Sequence, residues 1–101
     1  MRWPWGRALV VGESMAPTYR PGDVLLWRRG RRGLRAGRVV VVQLPGDRPL
    51  GVKRLGQPRG DGWELLSDNA AAGTDSRHFG PVPEVDVLGP VLLRLYRIRT
   101  R

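Results

Sequence analysis

Fourteen glycines and nine prolines divide the 101 residues into short segments, and this punctuation constrains the fold more than any other feature. A glycine in a helix interior costs roughly 1 kcal/mol relative to alanine and a proline about 3 kcal/mol, so a helix of ordinary length has little room to form. The segments between the breaks are rich in Val and Leu, as short strands are. The reading is all-β, with strands expected at 8–11, 24–27, 38–44, 50–55, 63–67, 85–88 and 91–98. Pro21-Gly22-Asp23 and Pro45-Gly46-Asp47 have turn chemistry, in which Pro presets φ, Gly permits positive φ and Asp bonds nearby amides, and hairpins are expected at both. Val39-Val40-Val41-Val42 does not alternate with polar residues, so it should be covered on both faces as the central strand. In the last segment Leu93, Leu95 and Arg97 point one way and Arg94, Tyr96 and Ile98 the other.

A chain of this length supports one domain with a modest core, here residues 1–101 with the core at roughly 8–98. Its 41% hydrophobic and 27% charged content is the balance of a folded chain rather than a disordered one. The absence of cysteine removes disulfides, thiolate metal sites and cysteine catalysis. One histidine and scattered carboxylates form no ligand set, so neither a metal nor another cofactor is expected. There is no internal repeat, and Ala70-Ala71-Ala72-Gly73 is too short to be a linker.

A net charge of +9 raises the question of a nucleic-acid partner. The densest cluster, Arg28-Arg29-Gly30-Arg31-Arg32-Gly33-Leu34-Arg35, lies between two apolar runs and has no aromatic interleaving beyond Trp27. A solvated loop is favoured there over an acidic partner, and an acidic partner over nucleic acid. No apolar run approaches the ~20 residues of a membrane-spanning helix and the N-terminus lacks the apolar core of a secretory signal, which together predict a cytoplasmic protein. Trp3 and Trp5 flank Pro4 beside Arg2 and Arg7. That pattern suits packing against the domain, the default, or peripheral contact with a lipid interface.

The chemistry gathers around Val10-Val11-Gly12-Glu13-Ser14-Met15-Ala16-Pro17-Thr18, which sets a serine just past an apolar run in a turn bounded by Gly and Pro. A turn serine ordinarily caps a local amide. It becomes a nucleophile only beside a base that takes its proton. Arginine does not act as a base near neutral pH, and 17 of the 18 Lys and Arg side chains are arginines. The remaining candidates are Lys53, inside the strand-like Leu50-Gly51-Val52-Lys53-Arg54-Leu55, and His78, which follows a loop. A lysine base must be neutral, which requires burial to bring it down from its ordinary ~10.4. An exposed edge charge is the plainer role for a strand lysine.

Gly12-Glu13-Ser14-Met15-Ala16-Pro17-Thr18 resembles the nucleophile motif of signal-peptidase-type serine proteases, and Val52-Lys53-Arg54 resembles the segment carrying their lysine base. Ser67-Asp68-Asn69, leading through Ala70-Ala71-Ala72-Gly73-Thr74 to Asp75-Ser76-Arg77-His78-Phe79-Gly80, is similar to a third motif of that family, and the three blocks occur in the family's order. Within the family a short, arginine-rich chain without a membrane anchor is most similar to the bacterial nickel-type superoxide dismutase maturation proteases. The resemblance implies a small, irregular coiled β-sheet or barrel fold shared with self-cleaving repressors.

It also implies roles. Ser14 would be the nucleophile, Lys53 the general base, and the Ser14 backbone N–H an oxyanion donor; His78 would not be the base. Some members add a hydroxyl donor two residues before the nucleophile, where this chain has Gly12. Asp75 and Arg77 would pair to hold the loop over the lysine. Where signal peptidases orient the lysine with a serine, this chain has Gly73, which leaves Thr74 or Ser76 to supply a hydroxyl, while Asp68 and Asn69 would close a turn. Substrate would lie extended along Leu9, Val10, Val11 and Gly12 on one side and Leu50, Gly51 and Val52 on the other, with Met15 in the wall of the S1 pocket and small residues preferred at S1 and S3. The expected activity is removal of a short N-terminal extension from a precursor protein, nickel superoxide dismutase first among candidates. The alternatives are signal-peptidase-like processing of another precursor, or a non-catalytic basic β-domain binding nucleic acid or an acidic protein.

Overall fold

The valine tetrad lies where a run without alternation must lie, in the middle of a sheet with both faces covered. The computed structural model describes residues 3–46, 48–72 and 76–99, apart from the side chains of Ser76 and His78. The strands are Trp5–Leu9 (β1), Asp23–Arg28 (β2), Val39–Gln43 (β3), Leu50–Arg59 (β4), Gly62–Leu66 (β5), Val82–Pro83 (β6) and Val87–Arg97 (β7). They pair in the order β1-β2-β7-β3-β4-β5-β6, every pairing antiparallel, with β3 fourth of seven. The fold is all-β, a curled sheet of the expected class. Its only helical elements among the described residues are Ser76–Phe79 (α1) and a 3₁₀ turn at Glu84–Asp86.

Alternation along β3 divides the core in two. Val39 and Val41 pack with Val10, Met15, Leu25, Trp27 and Val91, whereas Val40 and Val42 pack with Leu55, Trp63, Leu65, Val82 and Val87. Each valine buried this way contributes on the order of 1.5–3 kcal/mol. The first cluster anchors the loop after β1 and the second backs β4, so the central strand supports both chain segments that carry the candidate dyad.

The segment expected at 85–88 is not a separate strand. Glu84–Asp86 turns, and β7 then runs unbroken from Val87 to Arg97. It pairs first with β3 and then with β2, with register irregularities along both ladders. The crossing is possible because Gly89 has no side chain: a Cβ there would stand 1.8 Å from the Arg28 carbonyl oxygen. Because the obstacle is backbone, Gly89→Ala is expected to cost about 1–3 kcal/mol, the usual penalty for overpacking. Thermal unfolding reads this directly, and an unchanged melting temperature would contradict so close a crossing. Beyond Val91 the strand alternates without burying a face, and residues 92–98 are all exposed.

The Pro45-Gly46-Asp47 turn joins β3 to β4 as expected, although Asp47 lies outside the described residues. Pro21-Gly22-Asp23 closes a longer structure. β1 ends at Leu9 rather than at 11, and β1 and β2 are joined by the loop of residues 10–22. The Asp23 N–H bonds the Arg20 carbonyl at 3.0 Å while the wholly buried Asp23 carboxylate accepts the Arg20 N–H at 2.8 Å and an ion pair from Arg97 at 2.5 Å. Burial alone would raise the Asp23 carboxyl, but the Arg97 and Arg20 hydrogen bonds and the charges of Arg97 and Arg94 hold it below its ordinary value.

The arginine-rich segment is a loop whose glycines and most of whose arginines are exposed. Arg31 donates to the Glu84 and Val85 carbonyls, and Arg29 lies 5.1 Å from the centre of the Trp27 ring. Trp5 belongs to β1, whereas Trp3 is 73% exposed and is not packed into the core. Among the described residues no helix is long and apolar enough to cross a membrane.

Candidate active site

The loop after β1 is pinched at its neck. The Val10 N–H bonds the Asp23 carbonyl at 2.8 Å and the Gly22 N–H bonds the Val10 carbonyl at 2.9 Å. Gly12 takes φ +78°, a region open to glycine at little cost, and turns the chain toward the cleft. Met15 is 1% exposed and sits in the first core cluster, which fixes the neighbouring Ser14 half-buried at the surface. The turn is braced internally by Ala16 N–H to Glu13 O at 3.1 Å and Tyr19 N–H to Met15 O at 2.9 Å.

Lys53 lies opposite Val40 in the β3–β4 ladder and is 4% exposed. The exposed edge charge, the plainer expectation for a strand lysine, is therefore not what the fold makes of it. Its Nζ donates to Ser67 Oγ at 2.9 Å, and Ser67 is itself only 8% exposed. The next residue on β4 serves another purpose. Arg54 Nε and Nη2 donate to the two oxygens of Asp68 at 2.8 and 2.7 Å, and Arg54 Nη1 donates to the Gly37 carbonyl at 2.8 Å. Asp68 Oδ2 also accepts the Thr18 hydroxyl at 2.5 Å. One carboxylate thus ties the serine loop to the lysine strand, and the Asn69 N–H adds a bond to the Ser14 carbonyl at 2.8 Å. The Arg54 hydrogen bonds hold the Asp68 carboxyl below its ordinary value, against burial and aided by Thr18 and the guanidinium charge.

Two cavities meet at these groups. The first, of about 400 Å³, is lined by Leu9, Val10, Val11, Met15, Leu50, Gly51 and Val52 together with Ser14 and Lys53. The second, of about 450 Å³, is lined by Val11, Gly12, Glu13, Ser14, Lys53, Ala71 and Ala72. All eight positions expected to line a substrate therefore border one cavity or the other, and Ser14 and Lys53 border both. The first cavity is largely apolar, with Arg7 on its wall, and residues of β1 and β4 form much of its lining. Among the described residues no three His, Cys, Asp or Glu side chains converge as a metal site.

The expected support residues fall differently. Thr74 and Asp75 lie outside the described residues, as do the side chains of Ser76 and His78; Arg77 is exposed on α1. The support that is visible comes from Ser67, Asp68, Asn69, Arg54 and Thr18. Asp68 and Asn69 were expected to close a turn with their side chains; the turn bond is instead between backbone groups, Ala72 N–H to Asn69 O at 3.1 Å, while the Asp68 carboxylate and the Asn69 N–H hold the serine loop. The sequence carried only part of a signal: Lys53-Arg54 and Ser67-Asp68 are two adjacent polar pairs, but which member meets which depends on the strand register.

Residues 7–92 match the family described as Peptidase S24-like. The chain is 38% identical to the mitochondrial ATP-independent inner membrane protease subunit 1a of Arabidopsis thaliana, an alignment covering 86% of this chain and 68% of the relative. It is 26% identical to the mitochondrial inner membrane protease subunit 1 of Mus musculus, covering 90% of this chain and 69% of the relative, and 29% identical to that of Xenopus tropicalis, covering 91% and 70%.

Proposed function

Because this chain belongs to the Peptidase S24-like family of signal-peptidase-type serine proteases, we propose that it is an endopeptidase working through a Ser14/Lys53 dyad on a precursor protein. The observation that carries the reading is that Ser14 and the buried Lys53 line both cavities of the one cleft. Lys53 in its neutral form takes the proton of Ser14 Oγ as that oxygen attacks the scissile carbonyl carbon. The tetrahedral oxyanion is held by the Ser14 backbone N–H. Collapse breaks the C–N bond, the leaving amine takes that proton from Lys53, and an ester remains on Ser14. Water, giving a proton to the again-neutral Lys53 amine, then attacks the ester carbonyl carbon; the acyl C–O bond breaks and the proton passes from Lys53 to Ser14 Oγ.

Substrate backbone adds to the exposed edges at Leu9–Gly12 and Leu50–Val52, with alternate side chains entering the first cavity. The apolar wall formed with Met15 favours small, uncharged residues beside the cut. The non-catalytic alternative requires Ser14 and Lys53 to lie apart, and their shared cavities favour the peptidase. The precursor we assign is nickel superoxide dismutase with its N-terminal extension. A cytoplasmic location with peripheral membrane contact through the exposed Trp3 belongs to the same proposal. A second precursor class, one processed at a membrane, is favoured by the relatives named as inner membrane proteases.

The test is incubation of the purified protein with the nickel superoxide dismutase precursor, followed by mass spectrometry of the products. One new N-terminus is expected with the wild type and none with Ser14→Ala. An intact precursor overturns that substrate assignment. Failure also to cut peptides with small residues at P1 and P3 overturns the peptidase.

A further inference from the structure

Lys53 meets a hydroxyl rather than a carboxylate because of one extra residue in β4. Beside the hairpin turn Arg59 opposes Gly62 and Pro58 opposes Trp63, whereas farther along Leu55 opposes Leu65 and Arg54 opposes Leu66. Gly56 and Gln57 therefore share a single partner, Glu64, in a β-bulge, and Glu64 Oε1 accepts the Gln57 N–H at 3.1 Å. Continued one position past Leu66, this register sets Ser67 against Lys53, and the 2.9 Å bond joins them. Without the bulge Asp68 would take that place, and a carboxylate there would hold the amine as an ammonium.

We propose that Ser67 is the positioning residue for the Lys53 base, its Oγ accepting one amine N–H so that the nitrogen lone pair is turned toward Ser14. A neutral amine has two N–H bonds and one lone pair, and a hydrogen bond given to Ser67 selects among its rotamers. The serine oxygen can accept this bond and still use its own proton elsewhere. With both groups more than nine-tenths buried, water competes poorly for either. The catalytic consequence rests on the peptidase reading; the hydrogen bond does not. Among the described residues, the other charged groups bordering the same cavities are Glu13 and Arg7, while Arg54 is engaged with Asp68.

The chain has a single lysine, so labelling lysine with ¹³C at Cε places one titrating side chain in the NMR spectrum. Ser67→Ala is expected to move that titration to lower pH, because the ammonium form loses a charge-assisted acceptor. In the same variant kcat on the alkaline plateau should fall by about tenfold to a hundredfold, the effect of a misaligned reacting group, with KM nearly unchanged. Ser67→Thr, which keeps the hydroxyl, should restore both. A serine that bonds Lys53 for stability alone would lower the melting temperature and move the titration while leaving the plateau rate per folded molecule unchanged. If Ser67→Ala fails to fold, Ser67→Cys, with a weaker acceptor of similar size, is read in the same way. An unchanged titration or an unchanged kcat overturns the proposal. Wild-type protein that cuts nothing removes the peptidase reading and the catalytic part with it, whereas the titration still reports the Ser67–Lys53 bond.

Discussion

Replacing Lys53 with methionine is expected to lower precursor cleavage by about 10²–10⁴-fold, the range for loss of a general base, while raising the melting temperature. Methionine has a similar reach and no amine to desolvate, so a site in which Lys53 is 4% exposed should accept it without a cavity. The gain should be on the order of 0.5–2 kcal/mol. Its pH dependence carries the diagnosis. A buried base has a folded pKa below its unfolded one, so the unfolded chain binds more protons between the two values, and the cost of burying the lysine is largest below the folded value. The stability gain should therefore be large at mildly acidic pH and shrink as pH rises through the unfolded value of ~10.4. Cleavage by the wild type should rise from neutral into mildly alkaline pH, as a base that must first lose a proton requires. A Lys53→Met protein that is inactive but less stable at acidic pH would identify a lysine that holds structure through its charge, and the base role would be abandoned.

Asp68→Asn should loosen the connection between the two segments that carry the candidate dyad. Asp68 receives two hydrogen bonds from Arg54 and one from Thr18, so removing its charge should cost about 1–3 kcal/mol at neutral pH, as expected for charge-assisted bonds that are only partly buried. For a domain of this size that is a fall in melting temperature of about 4–8 °C per kcal/mol. The sign of the pH dependence follows from the direction of the shift. The folded Asp68 carboxyl lies below its ordinary 3.8, so its contribution is complete above that value and is lost as pH falls through the folded one. The difference between wild type and Asp68→Asn should therefore close in acid. Asp23, held low by Arg97 and the Arg20 amide, adds a parallel acid sensitivity that both proteins retain. Cleavage should fall as well, because Thr18 and Ser14 share the loop that Asp68 fastens. A stability difference that stays constant from neutral pH to well below 3.8 would show that the carboxylate charge is not what joins loop to strand.

Much of the architecture was legible because it depends on short-range rules. Breaks at glycine and proline marked the strands, and the unalternating valines identified the central one, which is indeed fourth of seven and buried on both faces. The segmentation failed where a breaker residue sits inside a strand: Gly89-Pro90 in β7 and Gly56 and Pro58 in β4 are tolerated there, so one strand was divided in two and another was cut short. The residue types of the site were also legible, since a chain with one lysine and one histidine offers few bases. The partners of those residues were not, because partners are set by register.

By itself, then, the sequence determined an all-β chain and the blocks that place it in its family, and through that resemblance pointed to eight of the residues that border the cleft. The tertiary structure alone decided that Lys53 is buried against Ser67 while Asp68 is given to Arg54 and Thr18. Counting back from the hairpin turn would have set Asp68 against the lysine. The bulge at Gly56-Gln57 shifts the ladder by one residue, and in a strand one residue is the whole difference between the two faces.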